Sequence, residues 1–448
     1  MPQPIDLHQS AREMFDSALR AVDPREAIRR AVNLDASLLK IVETDFAIAT
    51  QEIYVIAIGK AAPAMALGLS DVLGKKLTNG VITAPPLLAG QCFDRSQWLV
   101  FAGGHPLPNE QSLAAAQATF NLLQRAGDKR GLVIFLVSGG GSAMIEWPRT
   151  EQITLDDLRE ANRQLVSCGA NIAEINAVRR AFSAVKGGGL AARAPRTNSI
   201  TLIISDTNPG DEASVASGPT VEPPSEVPNA NEVVNVYGLE SLLPASILKA
   251  VRQHEGGQLE QTNDTRHYVL LDNQAALRVA AEKARAMGFR VEVAADIREQ
   301  PIGEGCDLLL SRLKGLFERN SQSPAPVCLI SGGEFSCPVR GNGLGGRNLE
   351  TVLRCAMELD LQQRERTLRS QKVVALSAGT DGIDGNSPAA GAIADETTIA
   401  SARSLGLDAR KFLGNSDAFS FFQKLGSTMI TGPTGTNVRD VRILLASS

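Results

Sequence analysis

The chain has 448 residues, of which 43% are hydrophobic and 21% are charged, and its net charge at pH 7 is −4. This is the composition of an ordinary globular protein, long enough for two or three domains. A nucleic-acid-binding protein would be expected to carry a basic domain or stripe, and none is visible. No stretch of about 18 apolar residues predicts a membrane span. We therefore expect a monomer or homodimer that binds small molecules rather than nucleic acid or membrane.

The six cysteines are scattered and include no CxxC pair. Neither a disulfide framework nor a cysteine metal site is therefore indicated, and reduced thiols in the cytosol are the simplest interpretation. Residues 1–16 carry early acids and no apolar core, which is not the pattern of a secretory signal peptide. These features predict a cytoplasmic protein.

Residues 7–32 have the apolar spacing of helix, and from residue 53 short apolar runs alternate with helical spacing. In the first half, strands are predicted at 53–58, 80–83, 98–102, 132–137 and 200–204, and helices at 109–126, 155–166 and 172–185. Strands that alternate with helices predict βαβ units and a mostly parallel sheet covered on both faces.

Residues 219–232 are rich in Pro, Asn and acids and predict a linker or a long surface loop. The alternation then restarts, with strands predicted at 268–271, 291–294, 327–330, 373–376 and 428–430, and helices at 273–287, 304–318 and 347–359. We predict an α/β protein of two three-layer domains, residues 1–235 and 236–448. The first domain is expected to be Rossmann-like with a mostly parallel sheet.

Loops that follow strands are the first candidates for ligand sites, because ligands of open α/β sheets lie beyond the carboxyl ends of the strands. The loop SGGGS (138–142) fits neither the P-loop motif nor the GxGxxG dinucleotide motif. Its glycines let backbone N–H groups converge, and a helix N-terminus behind it favours an anion. A tight turn without a ligand is the alternative. The segment ISGGEFS (330–336) echoes VSGGGS (137–142) in the second half.

Two cations occupy such loops. Lys60 lies between a predicted strand and a predicted helix, where it either points into the same crevice or is simply solvated beside a glycine turn. Arg347 follows the glycine-rich, mobile-looking segment GNGLGG and opens a helix. An arginine at a helix N-terminus conflicts with the helix dipole, and a bound phosphate or carboxylate would resolve the conflict.

Carboxylates follow two further strands: Asp206, with Asp211 and Glu212 nearby, and the pair Asp381 and Asp384. Such residues suit Mg²⁺ or a general base, and equally suit backbone capping in turns. No histidine metal triad and no GxSxG nucleophile motif is present. Anion-binding loops, two cations and several carboxylates are the groups used in phosphoryl transfer. Enzymes that transfer hydride with a nicotinamide cofactor normally carry a GxGxxG motif, which the SGGGS loop does not match.

The motifs GKA, GHPLP, VSGGGSA, KGGGLA, SD, ASGPT, SGGE, GGRN, AGTDGIDG and TGPTGTN occur in this order. The ordered set resembles the two-domain glycerate 2-kinases with a MOFRL-type C-terminal domain, and the resemblance covers nearly the whole chain. It implies phosphorylation of D-glycerate to 2-phosphoglycerate with ATP and Mg²⁺, in a cleft between the domains.

The resemblance also implies roles for individual residues. Lys60 and Arg347 would be catalytic, Asp206 would be a base or metal ligand, and Asp381 and Asp384 would be further metal ligands. The cofactor would be bound by the matching motif residues, namely Ser138, Gly139, Gly140, Gly141, Ser142, Lys186, Gly332, Gly333, Glu334, Gly345, Gly346, Asn348 and Thr380.

The chain departs from the family pattern at four motif positions. Gly189 stands where the KGG segment usually continues with Arg, Asn109 where Asp is frequent, and Leu349 where Gln is common. Thr207 follows SD, where many members have a hydrophobic residue. The missing arginine bears on recognition of the acceptor carboxylate. The alternatives are an NAD(P)H-dependent hydroxypyruvate or tartronate-semialdehyde reductase, and a non-catalytic protein that binds sugar acids or nucleotides.

Overall fold

A computed structural model describes residues 5–194, 196–223, 226–254, 265–320, 325–365 and 371–448. The predicted linker at 219–232 therefore lies partly outside the described residues. Among these residues the helices are α1 (Leu7–Ala21), α2 (Pro24–Ala31), α3 (Ala62–Leu73), α4 (Glu110–Lys129), α5 (Gly141–Met144), α6 (Leu155–Ser167), α7 (Ile172–Phe182), α8 (Ala230–Val236), α9 (Ala245–Gln253), α10 (Asn273–Ala286), α11 (Ile302–Arg319), α12 (Arg347–Arg364), α13 (Thr398–Ser404), α14 (Ala409–Gly414) and α15 (Ala418–Leu425).

The strands of the described chain are β1 (Val32–Asp35), β2 (Leu38–Ile41), β3 (Thr44–Ala47), β4 (Ile53–Ile58), β5 (Leu77–Ala84), β6 (Trp98–Ala102), β7 (Leu132–Ser138), β8 (Asn198–Ile204), β9 (Thr265–Leu271), β10 (Arg290–Val293), β11 (Val327–Gly333), β12 (Lys372–Gly379), β13 (Gly391–Asp395), β14 (Thr428–Met429) and β15 (Asp440–Ser447). Within this part of the chain, no helix combines the length and the apolar character that a membrane span requires.

Residues 24–271 form one compact unit around a parallel six-stranded sheet. The strands lie in the order β6-β5-β4-β7-β8-β9, and every neighbouring pair is parallel. This is the doubly wound 3-2-1-4-5-6 order, which confirms the predicted α/β class. Every residue of β4 and of β7 is buried, because helices cover both faces. Their near-continuous apolar sequences follow from that burial.

Two parts of this unit escaped the sequence analysis. A three-stranded antiparallel meander, β1-β2-β3, precedes the sheet, and its strands are only four residues long. Helices α6 to α9 form a separate apolar cluster that includes Leu158, Phe182 and Ile247, and of these helices α6 and α7 were predicted whereas α8 and α9 were not. The missed elements are short, and their apolar patterns are weak when read alone.

Residues 1–23 and 272–448 form the second compact unit, so helix α1 belongs with the C-terminal part of the chain. Its sheet has the order β10-β11-β15-β12-β13-β14, in which only β10 and β11 are parallel neighbours. Strand β15 was not predicted, yet it lies between β11 and β12 and is almost wholly buried. The sheet is therefore mixed, because the chain's last strand inserts antiparallel to both neighbours.

The two compact units divide elsewhere than at the predicted boundary of 235/236. Helix α9 and strand β9 follow that boundary but belong to the first unit, since β9 is hydrogen-bonded to β8. Residues 255–264, between α9 and β9, lie outside the described residues.

Candidate functional site

The first candidate site lies at the carboxyl ends of β4 and β7. These neighbours are the strands at which the order of the parallel sheet reverses, the usual ligand position in such folds. Ser138 joins the two strand ends: its Oγ donates to the Ile58 carbonyl (3.2 Å) and accepts from the Ala61 amide (3.0 Å). The Lys60 amide donates to the Gly139 carbonyl at 2.9 Å. Ser138 is fully buried, so it supports the loop and does not contact a ligand directly.

The glycines of this loop allow three predicted or candidate side chains to approach the backbone. A methyl group on Gly139 would overlap the carboxylate of Asp206, and one on Gly140 would contact the stem of Lys60 and the ring of His105. Gly140 has φ +77°, a conformation that favours glycine. The structure thus brings Lys60 and Asp206 together over the SGGGS loop. The sequence predicted only that each of them lies in a loop that follows a strand.

The helix behind the loop differs from expectation. Helix α5 contains only Gly141–Met144, a single turn, and Gly140 supplies no side-chain cap. Four residues align too few peptide dipoles to make the helix terminus a strong anion site. The chemistry of this loop therefore depends on the side chains that its glycines admit, and not on a helix dipole.

Lys186, which the resemblance placed at the cofactor, is only 2% exposed. Its Nζ forms an ion pair with the buried carboxylate of Glu146 and donates to the Ser142 carbonyl at 2.9 Å. Burial lowers the pKa of Lys186, although the charge of Glu146 opposes that shift. The prediction of direct cofactor contact does not agree with this burial: Lys186 fixes the end of the glycine loop from beneath.

Ser142 is tied down on its other side as well. Its Oγ shares a 2.8 Å hydrogen bond with the Oγ of Ser217, which in turn donates to Asn176 Oδ1 at 2.8 Å. Glu146 and Asn176 were not singled out in the sequence, because each stands outside the motifs, and Ser217 was noted only as part of the ASGPT motif. Their shared environment arises only when helix α7 packs against the loop.

The second candidate site centres on Arg347, the first residue of α12. Its guanidinium donates to both carboxylate oxygens of Asp440 (Nε 2.6 Å, Nη2 3.2 Å), and its Nη2 lies 2.8 Å from the carboxylate of Glu334. Burial alone would lower the pKa of Arg347, but the charges of Asp440 and Glu334 raise it above its usual value. The guanidinium is therefore always charged and held in a fixed orientation.

These contacts revise the argument about the helix dipole. The conflict between Arg347 and the N-terminus of α12 is resolved by carboxylates of the protein itself, so no bound anion is required for that purpose. Asp384 completes the arrangement by accepting from the backbone amides of Asn348 (3.1 Å) and Leu349 (2.8 Å), as a helix cap does.

Asp384 was predicted to bind metal, and the structure places it differently. It is 2% exposed, and burial raises its pKa to about 7, with the negative charge of Asp440 adding to the shift. The side chain of Asn348 is equally internal: its Nδ2 donates to Asp384 (3.2 Å) and Asp440 (2.9 Å) and its Oδ1 accepts from Ser377 (2.6 Å). Both residues hold the start of α12, and Asp384 also lines the cavity beside Arg347.

A cavity of about 620 Å³ adjoins Arg347, within the size range of small-molecule pockets. Its lining includes Phe335, Gly345, Gly346, Arg347 and Asn386. The glycine segment that we expected to be mobile is tethered, because the amides of Leu344 and Gly345 donate to Asp417 and Asn386, both at 2.9 Å. Gly345 and Gly346 thus present backbone to a preformed cavity.

The remaining predicted residues divide into internal and accessible positions. Thr380 is fully buried, and its Oγ1 donates to the Arg439 carbonyl at 2.8 Å, so it is structural. Gly332 and Gly333 end strand β11, and Asp381 is partly exposed.

Among the described residues, no three His, Cys, Asp or Glu side chains cluster as a metal site. Mg²⁺ needs only one or two carboxylates beside phosphate oxygens, and Asp206 fits that requirement.

Asp440 is the main functional residue that the sequence analysis missed. It is 1% exposed and binds both Arg347 and Asn348. The available signal was the apolar run VRILLAS after RD at the end of the chain, which marks a strand and places an acid at its start. Recognising that strand would have pointed to Asp440.

Comparison with known proteins gives two family matches. A model described as a domain of unknown function, DUF4147, matches residues 10–252, and the MOFRL family model matches residues 327–440.

The chain is also similar over nearly its full length to characterised proteins. It is 31% identical to the glycerate 2-kinase of Pyrococcus horikoshii, with 99% of this chain and 98% of the relative covered. It is 32% identical to the D-glycerate 2-kinase of Thermotoga maritima, with 99% of each covered. The crystal structure of glycerate kinase from Thermotoga maritima superposes with a TM-score of 0.80 at 30% identity, covering 99% of this chain and 100% of that one.

Proposed function

Since this chain belongs to the two-domain glycerate kinase family with DUF4147 and MOFRL domains, we propose that it transfers a phosphoryl group from ATP to D-glycerate and forms 2-phosphoglycerate. The observation that carries the proposal is the convergence of Lys60 and Asp206 over the glycine loop, at the strand ends where the sheet order reverses. We further propose that it works in the cytoplasm with its cysteines reduced. All six are free thiols.

In the proposed reaction, the 2-hydroxyl oxygen of glycerate attacks the γ-phosphorus, and the bond to ADP breaks. The hydroxyl proton passes to Asp206, whose carboxylate lies against the backbone of Gly139. Lys60 supplies positive charge to the phosphate oxygens. Arg347, oriented by Asp440 and Glu334, is proposed to do the same. Mg²⁺, when bound, would neutralise phosphate charge, with Asp206 as its first protein ligand.

The direct test is to supply D-glycerate, ATP and Mg²⁺ and to identify the product by ³¹P NMR. We expect 2-phosphoglycerate and stoichiometric ADP. Formation of 3-phosphoglycerate would overturn the regiochemistry, and absence of any phosphorylated product would overturn the assignment. Incubation with hydroxypyruvate and NADH tests the reductase alternative, which requires a fall in nicotinamide absorbance. Binding of both substrates without turnover would instead indicate a sensor.

The role of Asp206 has its own test. Asp206→Asn keeps the size of the side chain but cannot accept the hydroxyl proton, so we expect kcat to fall by about 10²–10⁴-fold. Asp211→Asn, in the same loop, is the matched control and should retain activity. Full activity of Asp206→Asn would remove this residue from proton transfer and redirect attention to Asp381.

A further inference from the structure

A cluster of arginines lies in the first unit, outside the site described above. Arg149 lies in the loop between α5 and α6, Arg180 is in the last turn of α7, and Arg193 ends the short 3₁₀ helix Ala191–Arg193. The segments are tied together, because the Arg149 amide donates to the Phe182 carbonyl and the Ala184 amide to the Trp147 carbonyl, both at 2.8 Å. These two bonds join the segment that carries Arg149 to the segment that follows Arg180.

The positions of the three guanidinium groups are set by specific contacts. Arg149 Nη2 donates to the carbonyls of Arg180 (3.0 Å) and Ser183 (3.1 Å). The stem of Arg180 covers Gly187, where a methyl group would overlap it. The guanidinium of Arg193 lies 3.9 Å above the ring of Phe120. A stacked or carbonyl-bound arginine is oriented without being neutralised.

This cluster carries positive charge that the described protein does not balance. None of the three arginines forms an ion pair with a carboxylate of the described chain, whereas arginines such as Arg25, Arg163 and Arg403 do. The pKa values of all three are lowered by burial, and that of Arg149 also by the charge of Arg193. Beside them, the pKa of His254 is lowered by burial and then by the charges of Arg149 and Arg180. Cations that repel one another in a partly desolvated place are stabilised by an anion.

The part of the cluster formed by Arg193 lies away from the Lys60–Asp206 site, because Arg193 stacks on Phe120 of α4. Helix α4 starts beside the loop that carries His105, and Phe120 lies ten residues beyond Glu110. At 1.5 Å per residue, this places Phe120 about 15 Å along the helix from its start. Arg149 and Arg193 are exposed, so a ligand reaches them from solvent.

We propose that Arg149, Arg180 and Arg193 form a binding site for a small phosphate-bearing anion, separate from the site of phosphoryl transfer. Each guanidinium group is planar and carries several N–H donors. Three such groups can donate to more oxygens of a phosphate dianion than a ligand with a single carboxylate offers. The proposed anion site is also connected by contacts to the residues that support the glycine loop. Arg149 binds the carbonyl of Ser183, three residues before Lys186, and Arg180 packs on Gly187.

The test uses the full-length protein and isothermal titration calorimetry with inorganic phosphate, in a phosphate-free buffer. We expect saturable binding that the double substitution Arg149→Gln/Arg193→Gln weakens by at least about tenfold, since each lost charged hydrogen bond is worth that much or more. Arg163→Gln is the matched control, because Arg163 is exposed and paired with Glu160 at 2.6 Å. It should bind phosphate like the unsubstituted protein.

Further arms locate the site and identify the source of the phosphate. Lys60→Met should leave phosphate binding unchanged, and Arg149→Lys/Arg193→Lys should retain more of it than the glutamine pair. Repeating the titration with methyl phosphate separates the two sources: tighter binding than phosphate indicates a phosphorylated metabolite, and weaker binding indicates free phosphate. Loss of binding in Lys60→Met, or unaltered binding in Arg149→Gln/Arg193→Gln, would overturn the proposal.

Discussion

The turns after β7 and after β11 have the same backbone geometry but support different chemistry. Each has the sequence Ser-Gly-Gly, which begins within the end of a buried strand, and the second glycine, Gly140 or Gly333, has φ +77° in each. The preceding glycine is approached so closely by a neighbouring side chain that a methyl group would overlap it. The short echo between VSGGGS and ISGGEFS therefore reflects one solution for bringing a polar side chain against a strand end.

The side chain that approaches each turn makes the difference. At β7 it is the carboxylate of Asp206, with Lys60 beside it. At β11 it is the amide of Asn273, whose Nδ2 donates to the carbonyls of Val438 (2.7 Å) and Asp440 (2.9 Å). One turn presents charged groups, whereas the other holds the backbone of the residue that orients Arg347. The same glycine geometry thus supports the proposed reactive site in one unit and a scaffold in the other.

The largest effect is expected from removing the cation of the second unit. Arg347→Ala should lower kcat by about 10³-fold or more with little change in the KM for ATP, because the arginine acts mainly on the transition state. Steady-state kinetics measure both constants. Arg340→Ala is the control, because it too removes an arginine from an ion pair. Its partner Glu350 keeps a second ion pair with Arg354, so we expect a normal kcat. A normal kcat for Arg347→Ala would confine phosphoryl transfer to residues of the first unit.

The support beneath the β7 turn is tested by Lys186→Met. The substitution leaves the carboxylate of Glu146 buried without its cation, and we expect the free energy of unfolding to fall by about 3–5 kcal/mol in urea denaturation. The double variant Lys186→Met/Glu146→Gln removes both charges and should recover part of that loss. If the double variant is as unstable as Lys186→Met, the ion pair is not the reason for the instability.

The two turns can be compared directly with Gly139→Ala and Gly332→Ala. Overlap should cost each variant about 1–3 kcal/mol of stability. Gly139→Ala displaces Asp206 and should therefore lower kcat more than its stability loss explains, while Gly332→Ala displaces a scaffold residue, Asn273. Gly414→Ala is the control, since nothing lies within 4 Å of a methyl group there. Equal kcat losses in the first two variants would contradict the distinction between reactive site and scaffold.

The smallest effect concerns the pH dependence of the scaffold. Because the pKa of Asp384 is about 7 in the folded protein and 3.8 ordinarily, the folded state binds an extra proton between these values. The free energy of unfolding should consequently fall as pH rises from about 4 to 7, by at most about 1.4 kcal/mol per pH unit from this group. Asp384→Asn removes the titration and should flatten the curve, as measured by urea denaturation across this range.

Asp381→Asn provides the comparison for that experiment. Asp381 stands in the same loop but is partly exposed, so its substitution should leave the fall in stability in place. An unchanged pH dependence in Asp384→Asn would show that the buried carboxylate does not titrate in this range.

The sequence by itself determined the local features of this protein. The runs at 53–58 and 132–137 are continuously hydrophobic, which marks buried parallel strands, and the ordered motifs identified the family. It also placed Lys60, Asp206 and Arg347 at strand or helix ends, because loop chemistry is local.

Only the tertiary structure decided which of these residues face a ligand and which face each other. Lys186, Asp384 and Thr380 carry the same motif signal as Lys60 and Asp206, yet they are buried and bound to protein groups. Asp440 carries no motif signal and still orients Arg347, because β15 inserts between β11 and β12. Burial and charge pairing depend on partners from distant segments, and those contacts exist only after the chain has folded.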